Sequence, residues 1–394
     1  MTVIAFLPQL NLAFSDALLS VDKPGGSNVP LPTTGSTVNL PTHLSISPTK
    51  LVRKIHRLKF GESEVVMLLA GTVSHLKRII YIFEEIRCVR QEIPQEIGRG
   101  LNLQDPLSIL NVAIKLVESS GFNEFEIIAF HKGRCFDHRF DTNRSLGQTA
   151  YFGEAIFAGS GSVDLYRWLC DRGEQYMNIP SVCQDSLEQK ILRTQNLVPS
   201  LLLEEDTRAT LKTINNGVGG YYETFYIDNS GLHPQDEVLT IFAAIEGEGK
   251  KTKIVLRRLF FHLYSADCLL IISFHGGNVS INIDEKVRLN MSDFELFKIK
   301  PLLDDSAEPN WGVERVAVKL PSAKHHRLSL YRETDENNPQ IKRFSHGVDN
   351  GESIFSISVK NKYVFLTLEK DRLDYYLKRF PSKSAENETL KLGS

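Results

Sequence analysis

The sequence predicts an α+β fold in two parts. Residues 1–234 read as a four-layer αββα sandwich, residues 235–380 as a mainly β second domain, and residues 381–394 as a polar tail. Three observations predict this. Up to residue 228 the apolar spacing switches between strand and helix period, in the order strands, two helices, strands, two helices, strand. Two sheets with helix pairs on their outer faces bury every apolar face of such a series. From about Gln235 onward the apolar runs have strand length and strand pattern.

The elements follow in order. Residues 2–7 and 12–19 are apolar runs joined by Pro8-Gln9-Leu10-Asn11, which predicts a β-hairpin with proline in its turn. Residues 22–50 are rich in Pro, Gly, Ser and Thr and read as one long loop. Residues 51–58 and 64–72 read as a strand pair around Lys59-Phe60-Gly61. Leu76, Ile79, Ile80, Phe83 and Ile86 have helical spacing within 73–93, and Asp105-Pro106 opens a second helix that ends at Gly121. Strands are expected over 124–140 and 149–161, helices over 161–176 and from Gln184 to about Thr213, and a closing strand over 219–228. In the second domain EVLTIFAAI, TKIVLRRLFFHLYSADCLLIISF, NVSINI, FELFKIKPLL, RVAVKL, HRLSLYR, SIFSISV and KYVFLTLEK all read as strands, and 371–380 as a short helix.

Composition excludes several classes of function. The formal charge of −2 gives no pull toward nucleic acid or an anionic membrane surface. No stretch approaches the ~20 consecutive apolar residues of a membrane span. The start of the chain lacks a basic leader and a small-residue cleavage site, so no secretory signal is expected. The five cysteines form no CxxC pair, which fits free thiols in a reducing, cytoplasmic setting. There is no Walker motif, GxSxG elbow or HExxH. His131, Cys135 and His138 lack a fourth ligand nearby, so neither a metal nor another cofactor is expected.

The opening MTVIAFLP suggests chemistry. Once Met1 is removed, Thr2 carries a hydroxyl and a free amine, a nucleophile and a base on one residue. Downstream, LAFSDALLS places Asp16 in an apolar strand, where a carboxylate needs a partner. VRKIHRL carries Lys54, whose ammonium would suit Asp16, although Arg53, His56 and Arg57 beside it also allow a solvated basic strand face. LLAGTVSHLKRII ends a strand at Gly71, whose N–H would suit a developing oxyanion. IFAGSGSVDLYRWL puts Ser160 just before a helix, placed to bond the terminal amine or to cap the helix.

In this order the motifs resemble the proteasome β-subunit and HslV group of N-terminal nucleophile (Ntn) hydrolases, over residues 1–228. The AGSG junction is the most specific of them. The resemblance implies a catalytic set of Thr2, Asp16, Lys54, Gly71 and Ser160. It implies a threonine-type peptidase or amidohydrolase acting on a polypeptide or amide substrate, assembled as a homo-oligomer and served by a separate ATPase unfoldase. The sequence departs from the family in three places. The Thr2–Asp16 segment is two residues shorter, and a gap-free alignment puts Met1 on the nucleophile instead. Asn215 and Val218 stand where the family has Asp and Ser. The 22–50 loop and the second domain have no counterpart. These departures favour a second reading, an inactive proteasome-fold scaffold or interaction protein. A third is a small-molecule amidohydrolase with the 22–50 loop as its lid.

Overall fold

The structure is a computed structural model. It describes residues 2–21, 29–33, 47–89, 104–139, 146–178, 185–195, 197–199, 201–202, 218–246, 253–282, 285–304, 307–331, 344–347 and 355–369. The chain opens with the expected hairpin, β1 (Ile4–Leu7) and β2 (Leu12–Asp16), in the register Leu7↔Leu12 and Ile4↔Ser15. Pro8–Leu10 makes one 3₁₀ turn, and Asn11, at φ +49°, closes it. Proline fits the first position of such a turn, and asparagine tolerates the left-handed conformation.

The second apolar run breaks at Ala17. Its continuation, β3 (Leu18–Val21), pairs instead with β4 (Ser47–Leu51). Residues 47–50 are therefore strand and not the end of a long loop; apart from 29–33, the rest of that segment lies outside the described residues. The next strand also starts later than expected. Val52, Arg53 and Lys54 form a link, and β5 runs over Ile55–Phe60. The link follows a different partner, because Arg53 bonds through its backbone to Lys300 and Leu302.

β6 (Ser63–Gly71), α1 (Val73–Val89) and α2 (Pro106–Ser119) follow as expected, with Asp105 accepting the Leu107 N–H at the start of α2. Next come β7 (Phe125–His131), β8 (Arg134–His138), β9 (Leu146–Thr149), β10 (Gly153–Ala158), α3 (Ser162–Met177) and α4 (Leu187–Gln195). β11 (Tyr222–Asp228) turns back into β12 (Gly231–Pro234).

Two sheets result. One has the order β12-β11-β2-β1-β10-β9, the other β5-β6-β7-β8, and every pairing in both is antiparallel. Alternation along the strands gives each sheet two apolar faces. Ile4, Phe6, Ile156 and Phe225 of the first sheet meet Val66, Leu68, Ile128 and Phe130 of the second in one buried cluster. Phe6 and Phe130 cross edge-on at 5.1 Å, an arrangement that adds about 0.5–1.5 kcal/mol beyond area burial. On the outer side of the second sheet, Met67, Leu69, Ile127 and Ala129 pack on Leu76, Ile79 and Phe83 of α1 and on Leu110 and Ile114 of α2. On the outer side of the first, Ala5, Leu7, Phe14 and Phe157 pack with Leu165 and Leu169 of α3.

The remainder is mainly β. It comprises β13 (Val238–Glu246), β14 (Lys253–Ser265), β15 (Cys268–Ile281), β16 (Val287–Asn290), β17 (Phe294–Ile299), α5 (Val313–Ala317), β18 (His325–Tyr331), β19 (Phe344–Gly347), β20 (Phe355–Lys360) and β21 (Tyr363–Leu368). The larger sheet has the order β17-β15-β14-β13-β18-β19, with β13 and β18 parallel; β16-β21-β20 form a smaller one. RVAVKL is a correction: it holds α5 and a 3₁₀ turn at Leu320–Ser322, not a strand. Val316 and Leu320, four apart, are buried together, while Val318 is 56% exposed, which is helical spacing. Residues 371–380, read as a helix, lie outside the described residues.

One face of the larger sheet packs on the smaller sheet and α5. The other face, with Phe242, Phe260 and Ile271, joins the outer cluster of the first sheet, where Tyr221 and Phe260 rings stand 6.2 Å apart. No helix among the described residues is long and apolar enough to cross a membrane.

Candidate active site

The β10–α3 junction and the start of β1 meet at Thr2, which is only 7% exposed. The Thr2 N–H donates to Ser160 Oγ at 3.2 Å, and the Thr2 carbonyl accepts the Gly161 N–H at 3.0 Å. Of the two roles open to Ser160, the hydroxyl takes the backbone nitrogen; Gly161 caps α3 without any side-chain bond. Gly159 is required here. Its φ is +91°, and a Cβ would stand 2.3 Å from the Thr2 carbonyl oxygen and 2.8 Å from Thr2 Cγ2.

Asp16 is fully buried at the end of β2 and organises the other side. Its Oδ1 accepts the Val3 N–H at 2.7 Å and also the Lys54 ammonium. Its Oδ2 accepts the Gly219 N–H at 3.1 Å. Its own N–H donates to the Val3 carbonyl at 3.1 Å. Both carboxylate oxygens are thereby satisfied, as a buried charge requires.

Lys54 is also fully buried. Beside Asp16, its ammonium donates to the Leu18 carbonyl at 2.8 Å, and its own carbonyl accepts the Leu69 N–H at 2.9 Å. Burial pulls its pKa down and Asp16 opposes that shift. The solvated basic face considered for 53–57 is therefore incorrect at Arg53 and Lys54, each of which is enclosed with a carboxylate partner.

Among the described residues, Thr2 hydrogen-bonds Ser160 and Gly161 but not Gly71. Gly71 closes β6 opposite Phe125 at φ +111°, where a Cβ would stand 2.4 Å from the Glu124 carbonyl oxygen. Glu126, opposite the neighbouring Ala70, accepts the Gly159 N–H. Thr2, Asp16, Lys54 and Ser160 thus form one connected set, with Gly71 at its margin. Val218 presses a methyl group toward Gly161, so that a Cβ there would come within 2.3 Å of Val218 Cγ2. Asn215 lies outside the described residues.

Sequence reasoning missed Glu126, Gly219 and the Leu18 carbonyl. Glu126 carried a signal, an acid within the apolar strand FEIIAF; the others are backbone partners that no side-chain pattern reveals. It also missed Arg53 and Glu223, whose partners lie far away in sequence. Among the described residues, no three His, Cys, Asp or Glu side chains gather as a metal site.

No protein-family model matches the chain, and no curated protein does. Among solved structures the chain is similar to Anbu (ancestral beta-subunit) from Yersinia bercovieri, with a TM-score of 0.29 at 13% identity over 59% of this chain and 82% of that one. It is similar in the same way to Anbu from Hyphomicrobium sp. strain MC1, with a TM-score of 0.28 at 13% identity over 58% and 83% of the two chains.

Proposed function

We propose that residues 1–234 form a proteasome-like Ntn-hydrolase unit and that Thr2, once Met1 is removed, is the nucleophile of a threonine-type peptidase or amidohydrolase. One observation carries this reading. The Asp16 carboxylate holds the Val3 N–H and the Lys54 ammonium together, while Ser160 holds the nitrogen of Thr2. The helix pair, sheet, sheet and helix order also supports it.

In this mechanism the Thr2 amine takes the hydroxyl proton and the oxygen attacks the scissile carbonyl carbon. An ammonium has three N–H groups. Asp16 and the Leu18 carbonyl take two, and we assign the third to the Thr2 oxygen as it loses its proton. The Gly71 N–H is the proposed oxyanion donor, a role typically worth about 2.7–4 kcal/mol. The leaving amine takes the proton, an ester to Thr2 remains, and water then hydrolyses it. Residues 235–380 are proposed as an accessory domain, and work in a homo-oligomer with a separate ATPase unfoldase is part of the same proposal, as is a cytoplasmic location.

Val218 favours the second reading, an inactive scaffold, because it offers a methyl group where the resemblance implies a hydroxyl. Intact-mass and N-terminal analysis of the purified protein tests the choice. The hydrolase reading expects a chain beginning at Thr2; a retained Met1 leaves no free amine and supports the scaffold.

A further inference from the structure

The residue before Lys54 is as deeply buried as Lys54 itself. Arg53 is 1% exposed, and its Nε donates to Glu223 Oε1 at 2.8 Å. Glu223 lies in β11, opposite Ser15 and next to Tyr222, which is opposite Asp16. Two buried ion pairs, Lys54 with Asp16 and Arg53 with Glu223, therefore start from neighbouring residues of the link and end on paired strands, where their carboxylates lie diagonal to each other in the register.

The second pair is completed by the β-rich region. The Arg53 guanidinium stacks 4.5 Å over the Tyr264 ring and donates to the Asp267 carbonyl. The Tyr264 hydroxyl donates to the same Glu223 oxygen at 2.9 Å. The Arg53 N–H donates to the Lys300 carbonyl at 2.8 Å, and the Arg53 carbonyl accepts the Leu302 N–H at 2.8 Å. Tyr264 and Asp267 sit at the β14–β15 turn, and Lys300 and Leu302 follow β17.

The link from Val52 to Lys54 is held at each residue. Val52 donates to the Ala17 carbonyl, Arg53 is bonded to the β-rich region on both backbone groups, and Lys54 accepts from Leu69. Of these anchors, only the middle one comes from beyond residue 234. Successive side chains along an extended link point to opposite sides, and here Lys54 reaches Asp16 while Arg53 reaches Glu223.

We propose that Arg53 is a positioning residue for Lys54, and that through it the β-rich region is an integral part of the candidate active site and not merely an appendage. The inference deepens the hydrolase reading and rests on it only for the role of Lys54. A guanidinium is suited to this place because its planar fork serves two acceptors while its face stacks on an aromatic ring; a lysine cannot do all three.

The test uses the full chain with Arg53→Lys and Tyr264→Phe. The first keeps the charge, and the second keeps both charges and the ring. Two quantities are read: the inactivation constants kinact and KI for a covalent threonine-directed probe, and acetylation of Lys54 by acetic anhydride, with the exposed Lys253 as internal reference. Misplacing a reacting group by 1 Å costs up to about 10²-fold in rate. The expected result for Arg53→Lys is kinact lower by at least ~10-fold with KI little changed, together with a several-fold rise in Lys54 acetylation. Tyr264→Phe should move both readings in the same direction by less. Unchanged kinact and a still-protected Lys54 in both folded variants would overturn the proposal. If Arg53→Lys does not fold, Tyr264→Phe decides alone. If the unsubstituted protein is not labelled at Thr2, the hydrolase reading fails, and Lys54 acetylation still decides whether Arg53 positions it.

Discussion

Oδ1 of Asp16 accepts the N–H of Val3, 13 positions earlier across the hairpin, at 2.7 Å. The bond ties the residue after Thr2 to the carboxylate that also holds Lys54. The hairpin therefore brings the start of β1 to the Lys54 ion pair.

That relationship predicts how the ion pair responds to substitution. Asp16→Asn leaves the buried Lys54 charge unpaired, and an amide N–H₂ in place of Oδ2 would face the Gly219 N–H, donor against donor. The expected loss is about 3–5 kcal/mol of unfolding free energy in urea. Asp16→Asn with Lys54→Met should recover most of that loss, since replacing both charges removes the desolvation penalty. A single variant within about 0.5 kcal/mol of the parent would show that the pair is not buried as described.

Gly159→Ala should be costly for two separable reasons. Its φ of +91° strains any L residue, and the added methyl strikes Thr2. Gly61→Ala is the control, at φ +63° with nothing within 4 Å. The control should lose about 1–2 kcal/mol from conformation alone. Gly159→Ala should lose more, and should slow any reaction at Thr2 where Gly61→Ala does not. Equal melting temperatures for the two variants would contradict the close approach.

His262 predicts an acid-sensitive junction between the two parts. It is buried, its Nε2 donates to the Gln235 carbonyl at 2.8 Å, and its Nδ1 accepts the Tyr221 hydroxyl at 2.7 Å. Burial pushes its pKa from 6.5 down to about 3, with Arg327, His325 and Arg53 adding to the shift and Gln235 opposing it. Between these values the unfolded state binds the proton and the folded state does not. Stability from this residue is therefore full above 6.5 and falls with pH by up to about 1.4 kcal/mol per unit. His262→Gln retains hydrogen-bonding groups and cannot titrate. The pH dependence of urea unfolding should be shallower in this variant below 6.5; an identical slope would contradict a neutral buried His262.

Much of this was legible in the sequence where local chemistry decides the outcome. The Pro8–Asn11 turn, α1 and α3 each carry their signal within a few residues. So does the glycine-rich junction at Ser160. The parts that were not legible depend on distant partners. β4 contains Pro48 and gains its identity by pairing with β3. Arg53 reads as a solvated basic residue until Glu223, 170 positions away, and Asp267, 214 positions away, enclose it. RVAVKL reads as a strand because Val316 and Val318 alternate, and only the burial of Val316 and Leu320 reveals the helical face of α5. At the site, Asp16 and Lys54 were legible as residues of interest, but the backbone donors that fix Asp16 were not.

The central claim is tested most directly by locating the adduct of a covalent threonine-directed probe on the purified protein, by intact-mass and peptide mass spectrometry. The account predicts one adduct per chain, on a Thr2 that has become the first residue, with labelling abolished in Thr2→Ala and strongly reduced in Lys54→Met. Labelling that persists in Thr2→Ala, or a complete absence of labelling in a protein whose chain begins at Thr2, would contradict it.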